Sequence, residues 1–147
     1  MNDTSNITNL PTAKKPEPKL RTITLTNRAP VQIVEDQWPV IAQGGTGEDW
    51  YSDSGWSIKL RVRENQWGQM IIHGNFELTD ETNENAFQTV RVGRMLSSND
   101  ASRDLWKHML EVAEEMRVRI SNERLHRNVT VALDQCFASL APARVSG

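Results

Sequence analysis

Hydrophobic and basic residues alternate strictly in the middle of this chain. Residues 56–65 ("WSIKLRVREN") carry Lys59, Arg61 and Arg63 at every second position, with apolar side chains between them. Successive side chains of an extended chain point to opposite faces, so this stretch predicts a strand with one apolar and one cationic face. Residues 69–78 ("QMIIHGNFEL") alternate in the same way, and "ENQWG" between the two runs is typical of a turn. The pattern predicts a β-hairpin.

Three other segments also have the composition of strands. Residues 20–28 ("LRTITLTNR") and 87–96 ("FQTVRVGRML") alternate with β-branched side chains, and residues 31–34 form a short apolar run between prolines. Residues 43–55 ("QGGTGEDWYSDSG") are rich in glycine and serine, so the sequence predicts a loop there.

The period of the apolar positions changes after residue 97. Apolar residues then recur at spacings of three and four, which predicts a helix capped by Ser98 or Asn99. A second stripe from Leu125 to Leu140 is out of phase with the first, and the change of phase at Ser121 and Asn122 predicts a break. Strands followed by helices predict an α+β fold, with a largely antiparallel sheet of about four to five strands and two C-terminal helices packed on one face.

Length and composition predict one domain with two tails. Residues 1–19 are polar, contain three prolines and show no period, which is typical of a disordered tail. Residues 20–141 are predicted to form a single domain, and residues 142–147 a C-terminal tail. No apolar run is long enough to span a bilayer, and the start of the chain lacks the pattern of a signal peptide. With Cys136 as the only cysteine, an intramolecular disulfide is excluded, so we expect a cytoplasmic protein without a membrane partner.

The sequence contains no pattern that predicts catalysis. Its histidines, at positions 73, 108 and 126, are not spaced as metal ligands, and Cys136 lies on an apolar stripe where a buried thiol is the ordinary expectation. The "GGTG" at residues 44–47 lacks the lysine that completes a phosphate-binding loop. We therefore expect a protein that is not an enzyme and has no catalytic residues, no cofactor and no metal.

The cationic face is the main candidate for binding a partner. It comprises Lys59, Arg61 and Arg63, and Arg91 of the last predicted strand extends it. Three interpretations are open: a solvated face, a protein contact, or a nucleic-acid contact. The net charge of −2 is far from that of a dedicated duplex-DNA binder, and the aromatic residues fall on the opposite face, where they cannot stack on bases beside the charges.

Two further features are candidates for contact. Trp50 and Tyr51 stand in the predicted loop, where aromatic side chains either pack over the core or present a contact surface. Residues 35–55 and 77–84 hold acidic side chains and no basic ones, and such segments could meet a basic partner.

Two stretches of the chain also resemble a known group of proteins. Residues 22–42 ("TITLTNRAPVQIVEDQWPVIA") and 56–77 ("WSIKLRVRENQWGQMIIHGNFE") resemble small proteins carried on bacterial plasmids and prophages. The resemblance covers about residues 21–78 and transfers no catalytic residue. It implies an accessory protein of a mobile element, a class that includes anti-CRISPR inhibitors of host defence. We therefore expect a binding protein that inhibits or remodels a host protein complex such as a CRISPR effector, with nucleic-acid binding as the alternative.

Overall fold

The α+β fold expected from the sequence is confirmed by a computed structural model that describes residues 17–51, 54–82 and 87–146, with side chains up to residue 140. Six strands precede two long helices. In chain order they are β1 (Leu20–Ile23), β2 (Val31–Val34), β3 (Val40–Tyr51), β4 (Ser54–Glu64), β5 (Met70–Thr79), β6 (Gln88–Leu96), α1 (Ser98–Arg119) and α2 (His126–Ser146). Short 3₁₀ turns at Glu35–Gln37 and Glu123–Leu125 follow β2 and precede α2.

The strands form two antiparallel sheets. One is a meander in the order β3-β4-β5-β6, and the other is the β1–β2 hairpin. The β4–β5 hairpin confirms the prediction from the alternating pattern. Its turn is held by the Asn65 side chain, whose Oδ1 accepts from the backbone N–H groups of Trp67 and Gln69. Gly68 in this turn has a φ of 82°, a conformation that glycine adopts without strain.

Both helices pack on one face of the meander, as the sequence predicts. The apolar positions of the "WSIKLRVREN" stretch are all buried there, together with the apolar stripes of α1 and α2. The alternation along β4 therefore reports which face is covered by helices. Its basic residues lie on the second face.

The β1–β2 hairpin covers part of that second face, which the sequence did not predict. Ile23, Leu25 and Ile33 of the hairpin form a separate small core with Ile71 of β5. Gly93 of β6 holds the hairpin close, because its backbone carbonyl accepts from Thr26 N–H and its N–H donates to Thr26 Oγ1. A Cβ at this glycine would overlap the carbonyl oxygen of Thr24.

The prediction of a loop over residues 43–55 is wrong for residues 43–51 and 54–55, because β3 continues through the glycines to Tyr51 and β4 begins at Ser54; residues 52–53 lie outside the described residues. The physical reason is the approach of α2. A Cβ at Gly44 would lie 2.7 Å from the backbone nitrogen of Cys136, so only glycine allows the helix to lie against this strand. The N–H of Gly45 donates to Gln135 Oε1 at 2.8 Å, so a side chain of α2 occupies this edge of the sheet.

The helix boundaries differ from the prediction at two points and agree with it at a third. Ser97, rather than Ser98 or Asn99, caps α1, since its Oγ accepts from the N–H of Asp100. The predicted break is confirmed, because α1 ends at Arg119 and α2 begins at His126. α2 extends to Ser146, so residues 142–146, predicted as part of a tail, continue the helix. Most of the predicted N-terminal tail lies outside the described residues.

Candidate anion-binding cleft

A cleft of about 430 Å³ lies between the β1–β2 hairpin and the uncovered part of the sheet's second face. The floor of this cleft is formed by β4, β5 and β6, and its wall by β1. Half of the polar side chains that line it are cationic, namely four of the following eight: Arg21, Lys59, Arg61, Arg91, Thr22, Thr24, His73 and Asn75. No aspartate, glutamate, phenylalanine, tyrosine or tryptophan lies among the described residues that line it. The term "the cleft" refers to this surface below.

Strand register brings three cationic side chains of the floor together. Lys59, Asn75 and Arg91 are direct cross-strand partners, so they form one row across three strands. Neighbouring strands lie about 4.8 Å apart, so the first and last residues of the row stand about 10 Å apart. Arg61 lies in the next row, opposite His73. The sequence predicted that Lys59, Arg61 and Arg91 share a face, and they line the same cleft.

These three cations are not neutralised within the described parts of the chain. Lys59 and Arg91 are exposed and Arg61 is half-buried, and none of them pairs with a carboxylate. Among the described residues, their only side-chain hydrogen bond is a long one of 3.4 Å from Arg61 Nε to Gln43 Oε1. An uncompensated group of like charges repels itself and attracts anions. The cleft is therefore suited to bind an anionic group.

The wall contributes a fourth cation that the sequence did not single out. Arg21 Nε donates to Glu35 Oε1 across the hairpin, and this hydrogen bond lowers the pKa of the Glu35 carboxyl. Arg21 is thus paired, whereas the floor cations are not. Its place in the cleft depends on how the hairpin docks, for which the sequence carries no signal.

Arg63 differs from the other basic residues of β4. Its exposed fraction is only 5%, because the β1–β2 hairpin and the turn after β2 cover this end of the sheet's second face. Its Nε donates to His73 Nε2 at 3.0 Å and its Nη1 to the Trp38 carbonyl at 3.0 Å. Burial also lowers the pKa of its guanidinium. Arg63 was predicted as a partner-binding residue, and the structure buries it beside His73, to whose Nε2 it donates.

His73 lies on the floor of the cleft and is held neutral by its surroundings. Burial first, and then the charge of Arg63, lower its pKa to about 3. Because its Nε2 accepts from Arg63, the neutral ring carries its proton on Nδ1. The imidazole therefore offers a hydrogen-bond donor whose charge does not change near neutral pH.

Asn75 supplies an unsatisfied acceptor at the centre of the cationic row. Its Oδ1 is buried and has no hydrogen-bond partner within the residues that the structure describes. A buried polar atom without a partner costs free energy, commonly about 1–3 kcal/mol. A ligand that carries both anionic oxygens and a donor hydrogen would match this row better than one with anionic oxygens alone.

Trp50 and Tyr51 do not line the cleft. They stand at the far end of β3, with 40% and 44% of their surface exposed. Trp50 Nε1 donates to Glu48 Oε1, and the Tyr51 hydroxyl donates to Asp80 Oδ1, which lowers the pKa of that carboxyl. The structure thus leaves these two aromatics on a separate, acidic end of the sheet.

The described residues outside the cleft hold no group suited to a metal ion, and their one thiol is buried. No group of three or more histidine, cysteine or acidic residues there could hold a metal. Cys136 is buried in the helix-side core, and burial raises the pKa of its thiol to about 11, which disfavours the reactive thiolate. The charged cluster on α1 is occupied by its own contacts, as Arg94 of β6 donates to Glu111 and Glu115.

Comparison with known proteins adds no relative to this picture. Searches among protein-family models, curated proteins and solved structures found no match to the chain. The resemblance to proteins of mobile elements therefore stays a prediction. Among the helices of the described ranges, none has the length and apolar character needed to cross a membrane.

Proposed function

We propose that this chain is a non-enzymatic binding protein that takes an acidic segment of a protein partner into the cleft. The observation that carries the proposal is the convergence of Lys59, Arg61 and Arg91 without an ion-paired carboxylate among the described residues. Arginine is favoured where carboxylates are recognised, because its planar fork donates two parallel hydrogen bonds. Complementary charge also raises the association rate and selects among partners.

A protein partner is favoured over nucleic acid by the rest of the lining. Single-stranded nucleic acid is usually held by large aromatic side chains that stack on bases, and the described lining of the cleft has no tryptophan, tyrosine or phenylalanine. A peptide carries N–H donors all along its backbone, and Asn75 Oδ1, which has no partner among the described residues, requires such a donor. In the context of a mobile element, the partner would be a cytoplasmic host complex, and binding would inhibit it as anti-CRISPR proteins inhibit CRISPR effectors.

A charge-matched pair of variants tests this proposal. In the first variant Lys59, Arg61 and Arg91 become alanine. In the control, three exposed cations of the helical layer, Lys107, Arg124 and Arg127, become alanine, so both variants lose the same formal charge. Binding of polyglutamate and of single-stranded DNA is measured by fluorescence anisotropy at low and at physiological salt.

We expect the first variant to lose most of its affinity for polyglutamate, by about tenfold or more, while the control keeps it. Loss of equal size in both variants would show that only net charge matters and would refute a specific cleft. Tighter binding of DNA than of polyglutamate at physiological salt would refute the protein partner and favour the nucleic-acid alternative.

A further inference from the structure

The wall of the cleft is an open strand edge. In the β1–β2 hairpin the N–H of Glu35 donates to the carbonyl of Lys19, so residues 19 and 35 form a hydrogen-bonded pair. Such pairs alternate along an antiparallel ladder, so the backbone groups of Leu20 and Thr22 point away from β2. Thr22 lines the cleft, and its N–H and carbonyl make no hydrogen bond within the described parts of the chain. An unpaired edge of this kind can accept another strand.

The open edge runs above the cationic floor. Arg21 near the start of β1 lines a second pocket together with Arg61 of β4, so β1 starts beside β4. The chain after β1 reaches β6, where Thr26 N–H donates to the Gly93 carbonyl. The hairpin therefore crosses β4, β5 and β6. A strand added beside β1 would follow the row of Lys59, Asn75 and Arg91, which also crosses these strands. Alternate side chains of the added strand would point at that row, about 7 Å apart, within reach of the long lysine and arginine side chains.

We propose that the cleft binds its partner by strand addition: an extended acidic segment pairs with the open edge of β1 at Thr22, and its alternate carboxylates meet Lys59, Arg61 and Arg91. This inference rests on the proposed function and adds the conformation of the partner segment and the spacing of its acidic residues. Backbone hydrogen bonds to the edge supply affinity, and the cationic floor selects alternating acidic side chains. The added strand brings N–H groups into the cleft, where Asn75 Oδ1 has no partner.

Both edges of the described four-stranded sheet, those of β6 and β3, compete with β1. The N–H and carbonyl of Gly93 point away from β5, towards Thr26. Because backbone groups of every second residue point to the same side, those of Thr89 and Arg91 also point away from β5, at the open edge of β6. On β3, the backbone groups of Gly47 and Asp49 point away from β4, as those of Gly45 do. This end of β3 carries Glu48 and Asp49, however, which would repel an acidic segment. β6 is thus the matched control for β1, since both edges lie near Arg91.

Proline substitution distinguishes the two edges. Thr22→Pro removes an N–H that points into the cleft and leaves every β1–β2 hydrogen bond in place. An edge strand tolerates proline at such a position. Thr89→Pro does the same on β6. Thr22→Val is the second control, because it keeps the N–H and removes only the hydroxyl. The ligand is a short blocked peptide in which glutamate alternates with threonine, and its affinity is measured by isothermal titration calorimetry.

Thr22→Pro is expected to weaken binding by about tenfold, while Thr89→Pro and Thr22→Val change it by less than about twofold. Peptides methylated on alternate backbone nitrogens sharpen the test, because an added strand uses the N–H groups of one edge only. Methylation of one alternate set should abolish binding, and methylation of the other set should be tolerated.

Each other outcome refutes the inference. Equal affinity of both methylated peptides, or loss of binding for both, excludes strand addition. The proposed function is tested separately: it survives this result if the variant with Lys59, Arg61 and Arg91 changed to alanine does not bind the acidic ligand. Loss in Thr89→Pro alone moves the segment to β6. Dimers or longer assemblies in sedimentation without peptide would show that a second copy, through its acidic β3 edge, occupies the cleft instead. Absence of any binding by the unmodified peptide would also overturn strand addition.

Discussion

His73 shows how a single buried residue links the cleft to the stability of the fold. Its pKa is about 3 in the folded protein, against about 6.5 for an unperturbed histidine. Between these values the unfolded chain binds more protons than the folded one, so the free energy of unfolding rises with pH in this range. The contribution is complete above about pH 6.5 and is lost as the pH falls towards 3.

We therefore expect urea denaturation to show stability falling below about pH 6.5, with His73 contributing a slope of up to about 1.4 kcal/mol per pH unit. His73→Gln should flatten this slope, because glutamine does not titrate and still offers Arg63 an acceptor. The titration of His73 followed by NMR should give a midpoint well below 6.5. A variant with the same slope as the wild type would contradict the assignment.

At the scale of elements, the close contact of β3 and α2 depends on one glycine. A methyl group at Gly44 would overlap the backbone of α2 at Ala132 and Cys136, which cannot rotate away as a side chain could. We expect Gly44→Ala to lower the free energy of unfolding by about 3 kcal/mol. Gly45→Ala is the control, since its nearest contact of 3.1 Å, to the carbonyl oxygen of Ile58, requires a smaller shift. Denaturation that reports equal losses for both variants would show that α2 moves aside freely.

Periodicity predicts elements well and their docking poorly. The alternation in β4 and β5 and the stripes of α1 and α2 depend on neighbours in sequence, so these elements and the helix-covered face could be predicted. The β3 strand could not, because its glycines reflect contact with a helix 90 residues later in the chain, such as the bond from Gly45 N–H to Gln135. The position of the β1–β2 hairpin likewise depends on Gly93.

The same distinction explains the candidate site. That Lys59, Arg61 and Arg91 share a face follows from their spacing, and this part of the site could be predicted. Which basic residue is covered depends on where the hairpin docks, and this made Arg63 a buried support for His73. A sequence pattern marks the faces of a sheet, whereas the wall of a cleft comes from long-range packing.

At the scale of the whole molecule, the sheet separates two cores of very different size. The helix-side core includes both helices and the apolar faces of the four-stranded sheet. The hairpin-side core has only four buried residues: Ile23, Leu25, Ile33 and Ile71. Because burial of apolar surface supplies most of the stabilisation, the hairpin should open at a lower free energy than the rest of the fold. The wall of the cleft is thus the least stable part of the binding surface.

Hydrogen exchange measured residue by residue tests this arrangement. We expect the bonded amides of Arg21 and Ile23 to exchange at least about tenfold faster than those of Arg61 and His73. This difference equals an opening free energy lower by about 1.4 kcal/mol.

Gly93→Ala should speed exchange in the hairpin alone, because the added methyl displaces the Thr24 carbonyl without entering the helix-side core. An acidic peptide in the cleft should slow the same amides, since a ligand that requires the docked hairpin stabilises it. Equal protection of hairpin and sheet would mean that the molecule opens as one unit, and peptide binding would then protect all of these amides alike.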